Sequence, residues 1–119
     1  MDAIKQERGL EPDSRYVEQA AEIFGMLADA TRVRLIVALA DSGELSVNHL
    51  ADIVDKTPAA VSQHLAKLRL ARVVTNRRQG TTIFYALADE HAIDLVRNAV
   101  LQAEHSFDPH PRHHRNESD

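Results

Sequence analysis

Apolar positions along this chain recur mostly at helical spacing, and the pattern changes to strand character once. Val17, Ala20, Ala21, Phe24, Leu27 and Ala28 lie three or four residues apart behind Ser14, a good helix cap. A break near Asp29 leads to a second predicted helix carrying Val33, Leu35, Ile36, Ala38 and Leu39 and closed by Ser42-Gly43. Ser46 opens a short third helix with Leu50, Ile53 and Val54. In the stretch KTPAAVSQHLAKLRLARVV, Thr57 suits an N-cap and Pro58 the first helical position. At about 100° per residue, Val61, Leu65, Leu68 and Arg72 share one side of this fourth helix, with His64 at its margin. Ala59, Ala60, Gln63 and Lys67 point the other way, flanked by Ser62.

The following VVTNRRQGTTIFYAL is rich in β-branched and aromatic residues around Arg78-Gln79-Gly80-Thr81, where Gly80 permits a tight hairpin turn. Asp89 to His105 then reads as a last helix whose first-turn acids suit its dipole. The predicted fold is mainly α with a small β-hairpin: a winged helix-turn-helix dimerised through its terminal helices. Residues 1–13 are expected to form a flexible arm, 14–105 the DNA-binding and dimerisation domain, and 106–119 a histidine-rich tail.

Composition narrows the function. A chain of 119 residues is one domain. No cysteine is present, which removes disulfides, thiolate redox chemistry and thiolate metal sites. The chain shows neither an apolar run long enough for a membrane span nor a signal-peptide pattern, so a cytoplasmic protein is expected. There is no persuasive Ser-His-Asp grouping and no phosphate loop, so an enzyme is not expected.

The net charge of −4 hides an asymmetry. Between Lys56 and Ala88 there is no acid, and Lys56, Lys67, Arg69, Arg72, Arg77 and Arg78 supply six positive charges. The rest of the chain holds eight basic residues against all 18 acids, a net of −10. A basic block on an acidic protein is an electrostatic footprint for phosphates. The small, polar outward face of the fourth helix fits a major groove, where Ser62 and Gln63 can bond base edges and Lys67 a phosphate or guanine. Thr57, Ala59, Ser62, Gln63, Lys67, Arg77 and Arg78 are therefore the expected DNA contacts, with double-stranded operator DNA and a second copy of the chain as partners. No membrane or small organic substrate is expected.

Several stretches resemble one family. MLADATRVRLIVAL, ELSVNHLA and VSQHLAKLRLARVV followed by RRQGTTIFYAL are similar to the helix signature, the helix-turn-helix lead-in and the recognition helix and wing of ArsR/SmtB repressors. The resemblance spans roughly residues 16–105. It implies a homodimeric winged-helix repressor that leaves its operator when an inducer, often a metal, binds. Members responding to arsenic, cadmium or lead often carry Cys-x-Cys where this chain has Ser46 and Asn48, so that site is absent. His49 nearby reads as a surface residue.

His91 and His105 are fourteen residues apart, which leaves them about 40° apart around the helix but about 21 Å apart along it. One helix cannot hold a metal between them. Two such helices packed antiparallel across a two-fold near Asn98 can, twice over. The helix is apolar nearly all round, at Ala92, Ile93, Leu95, Val96, Ala99, Val100, Leu101 and Ala103, as expected if it also packs on a partner.

Family zinc sensors show an Asp-x-His…His-x-x-Glu/His pattern here; this chain keeps Asp89-x-His91 and His105 but has Gln102 at the intermediate histidine position. The Asp89-Glu90-His91, Ala103-Glu104-His105 and Pro111-Arg112-His113-His114-Arg115 stretches are similar to those of nickel- and cobalt-sensing members. By that resemblance His91, Glu104, His105, His113 and His114 are the metal ligands, with Asp89 and His110 as further candidates. A nitrogen- and oxygen-rich donor set suits octahedral nickel(II) or cobalt(II), with zinc(II) as the alternative. The expected function is a repressor that binds DNA in the apo form and is released by nickel or cobalt. The alternatives are a zinc-sensing repressor and, in a different class, a metal-storage or delivery protein with a His-rich tail.

Overall fold

The computed structural model describes residues 10–107; the tail histidines His110, His113 and His114 and residues 1–9 of the expected arm lie outside them. The order is α1 (Arg15–Leu27), α2 (Ala30–Ser42), β1 (Glu44–Ser46), α3 (Val47–Val54), α4 (Pro58–Leu70), β2 (Val74–Gln79), β3 (Thr82–Leu87) and α5 (His91–Phe107). This is a winged helix-turn-helix, mainly helical with a small antiparallel sheet.

Each helix start follows from a local cap. Ser14 accepts from the Tyr16 N–H, Asp29 from Arg32, Ser46 from His49 and Thr57 from Ala60, at 3.0–3.2 Å. These side-chain oxygens satisfy amides that have no partner inside the helix. At the end of α5's leader, Asp89 Oδ1 accepts from the His91 N–H at 2.9 Å. Asp89 therefore precedes the last helix and caps it, where the pattern predicted that it begins the helix; α5 also runs on to Phe107.

The core is formed by α2, α3 and α4 closed by the sheet. Leu35, Ile36, Leu50, Val61, Leu65 and Leu68 are fully buried, and among the described residues no polar or charged side chain is buried. Burying these aliphatic side chains is the main favourable term, at about 1.5–3 kcal/mol each. The sheet order is β1-β3-β2, all antiparallel, with Leu45 opposite Tyr85 and Arg77 opposite Phe84. The third strand β1 extends the expected hairpin. The turn at Gly80-Thr81 is two residues long, and Gly80 takes φ +65°, which a side chain would strain.

The end of α4 departs from the periodicity. Arg72 does not continue the buried face; it lies past the helix at φ 63°, in the left-handed region, and is exposed. The Arg72 N–H donates to the Arg69 carbonyl and the Val73 N–H to the Leu68 carbonyl, both at 2.9 Å. These two bonds close a Schellman motif, with Val73 and Leu68 making its buried apolar pair. Only three residues, 71–73, connect α4 to β2.

Candidate nucleic-acid interface and terminal-helix donors

On α4, Ala59, Ser62, Gln63 and Lys67 are exposed, while Val61, Leu65 and Leu68 on the opposite side are fully buried. One helix therefore anchors itself through three aliphatic residues and presents a small polar surface. Thr57 is exposed at its start, where its Oγ1 is held as the cap by the Ala60 N–H at 3.1 Å. The hydroxyl keeps its own proton for donation. The turn before α4 is built by Asp55 at φ 58° and by the Lys56 N–H donating to the Ala51 carbonyl at 3.1 Å. That arrangement swings α3 against α4 as the two helices of a helix-turn-helix.

A junction that the sequence pattern did not reveal fixes α4 from behind. Arg32 Nε donates to His64 Nδ1 at 3.0 Å, and Arg32 Nη1 donates to the Met26 carbonyl at 3.0 Å. His64 thus accepts through Nδ1, which puts the proton of the neutral ring on Nε2. The backbone N–H of Arg32 meanwhile donates to Asp29. Asp29 is held below the usual carboxylate range chiefly by that bond, against a penalty from burial and with the positive charge of Arg32 helping. Three elements, α1, α2 and α4, meet at one guanidinium.

The wing carries Arg77 and Arg78, both exposed, on adjacent β2 positions. Arg77 is engaged by a partner from β1: its Nε and Nη2 donate to Glu44 Oε2 and Oε1 at 2.7 and 2.8 Å. The bond to Arg77 lowers the Glu44 pKa and raises that of Arg77, so the pair stays ionised. Among the described residues Arg78 makes no ion pair.

The candidate metal donors are on α5. His91 and His105 are exposed at its two ends and Glu104 is half-buried. Among the described residues of one chain, no three His, Cys, Asp or Glu side chains come together as a metal site. With no cysteine, the donors are imidazoles and carboxylates, a chemistry that fits nickel(II), cobalt(II) or zinc(II). Asp89 spends one carboxylate oxygen on the α5 cap.

α5 and α1 also expose much apolar surface. Leu27 is the one buried residue of α1, while Phe24 is 57% and Val100 47% exposed. Between the two helices runs a groove of about 330 Å³ lined by Phe24, Leu27, Leu95, Val96, Ala99 and Val100 among others.

The sequence profile described as "Bacterial regulatory protein, arsR family" matches residues 29–76, from the α2 cap into β2. Over 94 residues, 79% of this chain and 72% of the relative, the sequence is 60% identical to the HTH-type transcriptional regulator KmtR of Mycobacterium tuberculosis. The chain belongs to the ArsR family. A second ArsR-family relative, a transcriptional repressor SmtB homolog of Synechocystis, is 40% identical over 82% of this chain and 75% of its own length. The solved AntR antimony-specific transcriptional repressor superposes with a TM-score of 0.73 at 28% identity, covering 89% of this chain and 96% of that one. This ArsR-family protein is thus a DNA-binding transcriptional regulator and not an enzyme.

Proposed function

We propose that this regulator is a homodimeric repressor that holds operator DNA in its metal-free form and releases it when nickel(II) or cobalt(II) binds between two α5 helices. The observation that carries the reading is the exposure of His91 and His105 at opposite ends of one helix. Each lies beyond the other's reach within a chain, at about 21 Å. An isologous dimer places His91 of one chain beside His105 of its partner and creates two equal sites. The exposed apolar surfaces of α1 and α5 supply a reason for the two copies to join, since patches of this kind favour burial against a partner.

Glu104, His113 and His114 complete the ligand set in this reading, and Asp89 and His110 stand ready as substitutes. Two imidazoles alone would not saturate an octahedral ion, so oxygen donors and the tail are needed. On the DNA side, Thr57, Ala59, Ser62, Gln63 and Lys67 face the major groove and the wing meets flanking backbone. A coupling of about 1–3 kcal/mol between the sites suffices to weaken operator binding 5–150-fold. The relatives lend support, since a Staphylococcus aureus relative is named for cadmium resistance and AntR for antimony. The protein acts in the cytoplasm, where both the DNA and the metal pool are accessible.

Binding of the protein to a duplex of its own promoter at fixed salt, titrated with a panel of divalent metals, tests the proposal. Nickel and cobalt should weaken binding most, and removal of residues 108–119 should blunt the response. Equal affinity with and without every metal sinks the sensor reading, and absence of sequence-specific binding favours a storage or delivery role. A strongly absorbing tetrahedral spectrum of the cobalt(II) form would transfer the assignment to zinc.

A further inference from the structure

We propose that Arg77 does not contact DNA but is a positioning residue that clamps the wing to β1, leaving Arg78 as the wing's phosphate contact. This role depends on DNA binding alone and is independent of which metal is sensed.

The geometry is a clamp across the whole sheet. Arg77 lies opposite Phe84 on β3, and Phe84 lies opposite Ser46 on β1, two residues from Glu44. Alternation along the strands puts Arg77, Phe84, Ser46 and Glu44 on one face. The guanidinium crosses the central strand, with Cζ 4.8 Å from the Phe84 ring centroid, and meets Glu44 through two parallel bonds. Its third nitrogen, Nη1, donates to Gln79 Oε1 at 2.9 Å.

Three of the five N–H donors of Arg77, one on each nitrogen, are therefore committed and one face of the guanidinium is covered. A bidentate arginine–carboxylate pair of this kind is directional in a way that a lysine cannot reproduce. A phosphate approaching Arg77 would also approach the Glu44 carboxylate, and the pair together carries no net charge to attract it. Arg78, by contrast, alternates to the opposite face and pairs in register with Ile83. Its full charge is available to the DNA backbone.

Glu44 separates the two possible roles of Arg77, because they predict opposite signs for its removal. If Arg77 binds phosphate, Glu44 is a competitor and a nearby repulsive charge, so Glu44→Ala tightens binding. If Arg77 positions the wing, Glu44→Ala loosens the clamp and weakens binding.

Fluorescence anisotropy with a labelled duplex of the gene's own upstream region, repeated over a salt series without added metal, reads both affinity and the number of phosphates neutralised. The slope of log K against log salt changes by about 0.9 for each phosphate that is no longer neutralised. We expect Arg78→Ala to flatten the slope by about that amount per protomer. Arg77→Ala and Glu44→Ala should each weaken binding several-fold with the slope unchanged, and the double variant should be no weaker than either single one. Arg77→Lys, which keeps the charge but loses the fork, should behave as Arg77→Ala; Glu44→Gln should fall between Glu44→Ala and the wild type. Tighter binding by Glu44→Ala, a flattened slope or unchanged affinity in Arg77→Ala, or wild-type binding by Arg77→Lys would each overturn the proposal.

Discussion

If the metal sites are shared between chains, two crippled proteins can repair each other. His91→Ala removes one histidine from both sites of its homodimer, and His105→Ala does the same from the other end of α5. The two positions span most of the 17-residue helix, a separation of about 21 Å, whereas imidazole nitrogens bound to one metal lie only about 2 Å from it. In a mixed dimer, both missing histidines fall in the same site. The other site then keeps His91 from the His105→Ala chain and His105 from the His91→Ala chain. Random exchange of equal amounts gives about half mixed dimers, each with one intact site of two. The mixture should therefore bind about a quarter of the wild-type nickel, while each variant alone binds essentially none at the same free metal. Dimers isolated through two different affinity tags should recover about half. Competition against a metal-binding dye, with the wild type as reference, measures both fractions. No recovery in the isolated mixed dimer refutes the shared site, because a site within one chain leaves every site damaged whichever way the chains are combined.

Leu65→Ala should cost about 2–5 kcal/mol in a urea melt, since Leu65 is fully buried on the α4 anchor; a loss below about 1 kcal/mol would show that the site collapses around the gap. Arg72→Gly should raise stability by up to about 1 kcal/mol by relieving its φ of 63°, while weakening DNA binding by removing a positive charge. Asp29→Ala should lower the thermal midpoint near neutral pH. The folded-state pKa of Asp29 lies below its usual value, so its contribution is present above the ordinary carboxylate range and disappears as pH falls through the lowered value. The gap between the two melting curves should accordingly close in acid, and a gap that widens there would show the sign to be wrong. Arg32→Gln should weaken operator binding by freeing His64 and the α1 end from one another, with little change in the number of neutralised phosphates read from salt dependence.

The parts of this fold that could be read from the chain are those governed by near neighbours. Ser14, Ser46 and Thr57 act on amides two or three residues away, so their roles are visible in a short window. The aliphatic face of α4 follows from spacing alone. What stayed hidden depends on distant partners. β1 is only three residues long and exists because β3 pairs with it. Arg32 reaches His64 across 32 positions, and Glu44 reaches Arg77 across 33. No local pattern marks any of these residues as a pair. Arg72 shows the complementary failure: periodicity extended the helix too far because nothing in the local composition announced a left-handed residue without glycine. Histidine spacing on α5 was legible for a different reason. It sets the distance between His91 and His105 whatever surrounds the helix, and the two do stand at opposite ends of α5.

The three-residue joint between α4 and β2 has a mechanical consequence. Two backbone bonds hold residues 72 and 73 to the end of α4, so the short connector carries the base of the wing along with that helix. The six-residue β2 strand extends about 20 Å from that joint. A tilt of only about 10° would sweep the hairpin tip through roughly 3–4 Å, more than the whole length of a hydrogen bond to phosphate. Under the release proposed above, an inducer need not melt any element to detach the protein from DNA. It need only tilt one rigid arm relative to the other.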